Sequence, residues 1–174
     1  MKLQSFILSL LFAVLFSSCM NTIVLDSKKY PVSDRTVFVY NFENSAFQAD
    51  VNGEMTEVLR NHIYRRKNFF PQKKPSDSVF SIYGEITMYR KEGRMYDNYR
   101  DPVRFELMVG VRVKMRSTAD SLLLLDSEFV ASTDYSEKEG FIESEFRARQ
   151  RVLRKLAIQI SNSMETAFLS VHHE

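Results

Sequence analysis

Cysteine occurs once in this chain of 174 residues, and tryptophan does not occur at all. A lone thiol excludes an internal disulfide, and with only three histidines it leaves too few ligands for a zinc site. Charge of one sign is missing too. Lys and Arg number 24 against 22 Asp and Glu, and a net of +2 gives no field that would hold nucleic acid. No G-x-S-x-G elbow, H-E-x-x-H pair or glycine-rich phosphate loop is present, and there are five glycines in all. His62 falls on the apolar side of a helical stretch with no Asp or Cys at a productive spacing, which is the place of a satisfied core histidine. His172 and His173 stand beside Glu174, where a frayed tail is expected. The carboxylates are scattered. An enzyme is not expected, and nothing calls for a metal or cofactor.

What is present is ordinary for one globular domain, with 44% hydrophobic and 26% charged residues. Fourteen Phe and eight Tyr supply large core and surface anchors. The opening is the most telling part. Met1-Lys2 is followed by an apolar run from Leu3 to Phe16, broken by Gln4, Ser5 and Ser9, and then by Ser17-Ser18-Cys19. That run is short for a bilayer span and ends in small residues, so it reads as a signal peptide over 1–18. A cysteine at the first mature position resembles the lipobox of bacterial lipoproteins, in which the thiol is diacylated before cleavage. Phe16 stands where that box usually has Leu. Cys19 is therefore the expected lipidation site, and several acyl chains at about 0.8 kcal/mol per buried methylene would anchor the chain to a membrane. Residues 19–34, with Lys28, Lys29 and Pro31, are expected as a tether leading to a domain over 35–174.

Within that domain the periodicity predicts six elements. Residues 35–42 hold Val37-Phe38-Val39-Tyr40, a buried strand. Over 47–66 the stripe Val51, Met55, Val58, Leu59, His62 and Ile63 is helical. Pro71 and Pro75 bracket a loop. Strands follow at 79–90, 104–116 and 122–133, with residues 91–102 a polar loop between the first two. A helix closes the chain over 143–169, with Phe146, Leu153, Leu156, Ala157, Ile160, Met164 and Phe168 inward and Arg147, Arg151, Arg154 and Lys155 outward. The expected fold is α+β, in the order β-α-β-β-β-α, with two amphipathic helices on one face of a four-stranded sheet.

Alternation over 104–116 sets Phe105, Leu107, Val109, Val111, Val113 and Met115 against Arg104, Glu106, Met108, Arg112, Lys114 and Arg116. The second set would project together from the open face, beside Tyr83 and Tyr89 if the strands pair as a hairpin. Such a surface suits anionic groups such as lipid phosphates, and equally suits plain solvation.

The run Thr36-Val37-Phe38-Val39-Tyr40-Asn41-Phe42-Glu43-Asn44 leads directly into a helix. The strand Phe80-Ser81-Ile82-Tyr83-Gly84-Glu85-Ile86 follows, and Tyr135 precedes the helix of Glu145-Phe146-Arg147-Ala148, Val152, Leu156-Ala157, Ile160 and Met164. In these features the chain resembles a divergent member of the LptE family of lipopolysaccharide-assembly lipoproteins. The resemblance implies two helices on a four-stranded sheet at the periplasmic side of the outer membrane. It implies the β-barrel LptD as partner, inside which the family acts as plug and assembly factor, and contact with lipopolysaccharide. Arg104, Arg112, Lys114 and Arg116 are the candidate anion-binding residues, and Tyr83 and Tyr89 the candidate partner contacts. The competing expectation is an envelope adaptor that binds another periplasmic protein, such as a peptidoglycan synthase or a secretion component, with no lipid ligand.

Overall fold

The computed structural model describes residues 25–48, 50–138 and 142–172; the apolar leader and Cys19 lie outside the described residues. Strand β1 is Thr36–Val39, β2 Glu43–Asn44, β3 Phe70–Pro71, β4 Phe80–Tyr96, β5 Pro102–Ser117 and β6 Leu123–Ser136. Helix α1 is Val51–Arg66 and α2 is Glu145–Val171. Short 3-10 turns occupy Val32–Arg35 and Pro75–Asp77. No described helix is long and apolar enough to cross a membrane.

The α+β class with two helices is as expected, but the sheet is mixed and has six strands in place of four. Its order is β3-β1-β4-β5-β6, with β2 also on β4. Both β1 and β2 run parallel to β4. They are one path along β4 interrupted at Asn41-Phe42, as Tyr40 N–H bonds Ile82 O and Ser45 N–H bonds Ile86 O on either side. The interruption turns Phe42 into the core. Its ring lies over Gly84, where an added Cβ would come within 2.2 Å of Phe42 Cε1. A bare backbone is required there because the ring occupies the space that a side chain would take. The backbone is fixed around it: Thr56 Oγ1 accepts from Phe42 N at 3.0 Å, and Asn52 Nδ2 donates to Phe42 O at 3.2 Å.

The polar loop expected over 91–102 is mostly strand. Strands β4 and β5 pair antiparallel from Phe80↔Ser117 out to Tyr96↔Pro102, so only residues 97–101 turn. Two Asp97 Oδ1 contacts, from the N–H groups of Tyr99 and Asp101 at 2.9 Å each, hold that turn. Polar composition misled here because a protruding hairpin is solvated on both faces and shows no apolar alternation.

Both helices cover one face of the sheet. Helix α1 buries Val51, Met55, Thr56, Leu59 and Ile63, and α2 buries Val152, Leu153, Leu156, Ala157, Ile160, Met164 and Phe168 among others. Phe146, expected inside, is 57% exposed at the first turn of α2. Against these pack Val109, Val111, Val113 and Met115 of β5 and Ile82 and Ile86 of β4. Residues before β1 join the same core: Leu25 and Tyr30 are buried, and the Tyr30 ring meets Phe168 edge-on with centroids 5.3 Å apart. His172 stacks on Phe168 at 4.1 Å, so the last described turn of α2 is packed rather than frayed.

Candidate functional site

The face of the sheet away from the helices carries the site. Valine at 37 and 39 points to the helices, so Phe38 and Tyr40 point the other way, their rings 4.8 Å apart and edge to face. Tyr83 on β4 reaches the same face, is 41% exposed, and stacks on Tyr40 with centroids 4.5 Å apart and planes 12° from parallel. Tyr83 beside it pushes the Tyr40 phenol above its ordinary pKa. Next to this pair the β4–β5 register sets Lys114 opposite Tyr83 and Arg112 opposite Glu85. Tyr40, Asn41, Glu43, Tyr83, Glu85, Arg112 and Lys114 together line a cleft of about 460 Å³.

The cations of this cleft are already matched. Arg112 donates through Nε and Nη2 to the two carboxylate oxygens of Asp126 on β6 at 2.8 and 3.0 Å, the planar fork that suits a guanidinium. Lys114 Nζ lies 3.9 Å from Asp126 Oδ2. Hydrogen bonding from Arg112, with the charges of Arg112, Lys114 and Arg116, holds the Asp126 carboxyl below its ordinary pKa. Asp126 in turn raises the Arg112 guanidinium, as do the nearby carboxylates of Glu128 and Glu85. Basic and acidic groups thus alternate across three strands. The chemistry on offer is an aromatic platform beside charge-assisted hydrogen bonds, a donor and acceptor set suited to polar or anionic groups that displace the internal partners.

Of the residues picked from sequence, the structure brings Tyr83, Arg112 and Lys114 together in the cleft, while Arg116 on the same strand donates to Ser121 O at 3.3 Å in the turn before β6. Arg104 stands eight residues back along β5, about 26 Å at strand spacing, in a separate hollow with Arg94, Met95, Glu106 and Asp134. Tyr89 is on the opposite face. The β4–β5 register shifts between Ile86 and Met88, leaving Thr87 as an extra residue, and this bulge reverses the alternation beyond it. Tyr89 consequently points under the sheet and donates to Glu145 Oε1 of α2 at 2.7 Å. Burial, then the bond to Glu145, drives its phenol far above the ordinary range. Tyr40, Asn41, Glu43 and Asp126 belong to the cleft and escaped the sequence reading. Their signal was period two: Phe38 and Tyr40 against Val37 and Val39, and Asp126 and Glu128 against Leu125 and Phe129.

A second polar centre joins Tyr89 to the start of α2. Lys91 Nζ lies 3.1 Å from both Glu137 Oε1 and Glu145 Oε2, and 4.2 Å from the centroid of the Phe105 ring. Arg149 bridges from α2 to Glu54 of α1 at 3.0 Å. These contacts clamp hairpin, sheet and both helices together. Their role is positional.

No curated protein matches the sequence at a significant level. Solved structures do match the fold. The rare lipoprotein B of Shewanella oneidensis superposes with a TM-score of 0.53 at 12% identity, over 79% of this chain and 99% of that one. A Xanthomonas campestris protein does so with a TM-score of 0.57 at 6% identity, over 83% and 93%. At such identities they show the fold alone. The sequence profile of the LptE lipopolysaccharide-assembly family matches residues 35–164, from just before β1 well into α2. With the interrupted first strand, the Gly84 contact and the helix-capped sheet all inside the matched span, the chain belongs to the LptE lipopolysaccharide-assembly family, as a divergent member.

Proposed function

We propose that this chain is an outer-membrane lipoprotein, anchored through acylated Cys19, that serves as plug and assembly partner of an LptD β-barrel in lipopolysaccharide transport. The family match over residues 35–164 carries this reading, since it spans the sheet, α1 and most of α2. The protein acts by binding and catalyses no reaction. The open-face cleft is where lipopolysaccharide would touch it: phosphate oxygens exchange with Asp126 on Arg112 and Lys114, and Tyr83 offers a ring to sugar. Arg116 assists from the same end, while Arg104, paired with Met95 beside the 97–101 turn, is a separate contact near the hairpin tip. Tyr89 is engaged by Glu145 and supports the hairpin rather than meeting a partner.

One pull-down tests the partner. The acylated protein is recovered from detergent-solubilised outer membrane and its companions are identified. A large LptD-like barrel in near-equal amount is expected; a peptidoglycan synthase, or no barrel, would discard the proposal. The lipid contact has its own test, charge reversal of Arg112 and Lys114 together. Lipopolysaccharide binding should fall, and unchanged binding would remove these residues from the site.

One observation favours a second reading, an envelope adaptor with no lipid ligand. Asp126, Glu85 and Glu128 already match the cations of the cleft, and a mixed-charge surface suits a mixed-charge protein better than a polyanionic lipid.

A further inference from the structure

The outer edge of β6 is sealed along one half and open along the other. Strand β6 ends the sheet and pairs on one side only, with β5. Lys155 Nζ of α2 donates to Ser132 O at 2.7 Å and Arg151 Nη2 to Asp134 O at 2.8 Å, while Glu143 N–H donates to Ser136 O at 2.8 Å. These carbonyls therefore point outward, and strand periodicity turns the N–H and C=O groups of Asp126, Glu128 and Val130 the same way, as far as the register shift at Leu124. Those groups have no hydrogen-bond partner among the described residues. The row of helical donors explains where the seal stops. Arg151 and Lys155 are one turn apart on α2; one turn further on, Ile158 has no donor and is 42% exposed, and Gln159 makes no hydrogen bond to β6 among the described residues.

We propose that the open half of the β6 edge accepts an extended segment of a partner protein as an added strand, basic on the face beside Asp126 and Glu128 and apolar on the face beside Ile158. Edge strands left bare are pairing templates, and native folds blunt the ones they do not use. Here the blunting covers Ser132 to Ser136 and stops, and apolar side chains flank the bare stretch: Leu122, Leu123 and the 51% exposed Val130. Charge chooses the occupant. Among the described residues Glu128 accepts one side-chain hydrogen bond, from the Thr87 hydroxyl at 3.2 Å, and its cross-strand neighbour Arg112 is bonded to Asp126, so a cation opposite Glu128 gains a close partner. A second copy of this chain is a poor fit. Antiparallel pairing of two such edges centred on 126–128 sets Asp126 against Asp126, Asp126 against Glu128, or Glu128 against Glu128, and directly opposed like charges destabilise a sheet. Registers slid further toward the C-terminal end of β6 run into the sealed carbonyls of Ser132 and Asp134. The inference stands on the edge alone and is independent of the lipopolysaccharide reading.

The test uses the purified full chain and a capped seven-residue peptide of alternating valine and lysine, with backbone amide exchange read residue by residue. The peptide should slow exchange at Asp126, Glu128 and Val130 and leave Ser132 and Asp134 unchanged. A control peptide with glutamate for lysine should bind about tenfold more weakly, from two unfavourable cross-strand pairs. Glu128→Pro removes one outward N–H without touching the β5 ladder and should abolish the protection. Glu128→Lys, which leaves the backbone unaltered, should reverse the preference between the two peptides. Absence of slowing at these three amides overturns the proposal, and equal binding of both peptides overturns the choice of a basic segment. Slowing that follows protein concentration without any peptide would assign the edge to a second copy instead.

Discussion

Gly84 shows how a single position ties sequence to fold. Its missing side chain is filled by the Phe42 ring, which itself sits at the break between β1 and β2. Gly84→Ala should destabilise the protein by about 1–3 kcal/mol through overpacking, read as a lower urea midpoint with unchanged slope. In combination with Phe42→Leu the cost should be well below the sum of the two single changes, because both act on one contact. Glu165 is the other decisive residue. It is 0% exposed, takes a Nε contact from Arg66 at 2.6 Å and a hydrogen bond from Asn68 Nδ2 at 2.8 Å, and burial raises its pKa even so. Asn68 Oδ1 in turn accepts from Leu25 N at 3.2 Å, and Asn68 O accepts from Arg35 Nη1 at 3.0 Å. Glu165→Ala would take the carboxylate partner away from the largely buried Arg66 guanidinium and from the Asn68 amide, a loss of about 3–5 kcal/mol. Chemical denaturation of the purified protein measures it. From sequence, Arg66 reads as a cation set against the helix dipole; its engagement with a residue 99 positions away is invisible to local spacing.

At the scale of elements, the start of α2 is a pH-sensitive joint. Ser144 caps the helix by accepting from Arg147 N, and Glu145 occupies the first turn, where the helix dipole favours a carboxylate. Burial pushes the Glu145 carboxyl up, but hydrogen bonds from Tyr89 and Lys91 outweigh it and hold the pKa below the ordinary value. A depressed folded-state pKa contributes stability that is present above the unfolded value and is lost as pH falls through the folded one. Glu145→Gln should therefore destabilise the protein at neutral pH, and the gap from the parent should close as pH drops below about 4. Unfolding curves of both proteins across that range give the answer; a gap independent of pH would deny Glu145 this role. Glu165, with its pKa raised, contributes in the opposite sense, its share falling as pH rises from the unfolded value through the folded one. The β4–β5 hairpin is a second element with its own behaviour. Its outer part, near Gly93 and Tyr96, has two further register shifts and no helix beneath Met95, Tyr96 and Tyr99, which are exposed. Amides of 93–96 should exchange well before those of 107–113, where β5 is paired on both sides and Leu107, Val109, Val111 and Val113 are buried.

The whole molecule presents one sheet with two unlike faces, helices on one and a charge-matched cleft with stacked tyrosines on the other. If acylation of Cys19 holds this body at a membrane, Cys19→Ser should abolish incorporation of labelled palmitate and release the protein from the membrane fraction. Retention of the variant there would count against the anchor. The sequence by itself determined the α+β class, the two helices and their inner faces, the strands around residues 36–39, 80–90, 104–116 and 123–133, and the side of β5 on which Arg112, Lys114 and Arg116 stand. It could do so because period 3.6 and period 2 are local signals that one buried face imposes on its own segment. The tertiary structure alone decided the rest. Thr87 became a bulge because β5 fixed the register on either side of it, and this moved Tyr89 to the helix face. Residues 91–96 became strand because their partners lie across a hairpin. Asp126 claimed Arg112, and α2 sealed half of the β6 edge, through contacts between segments that no local window contains together. Those outcomes depend on which backbones come to lie side by side, and the physical reason is that register, pairing and sealing are properties of pairs of elements.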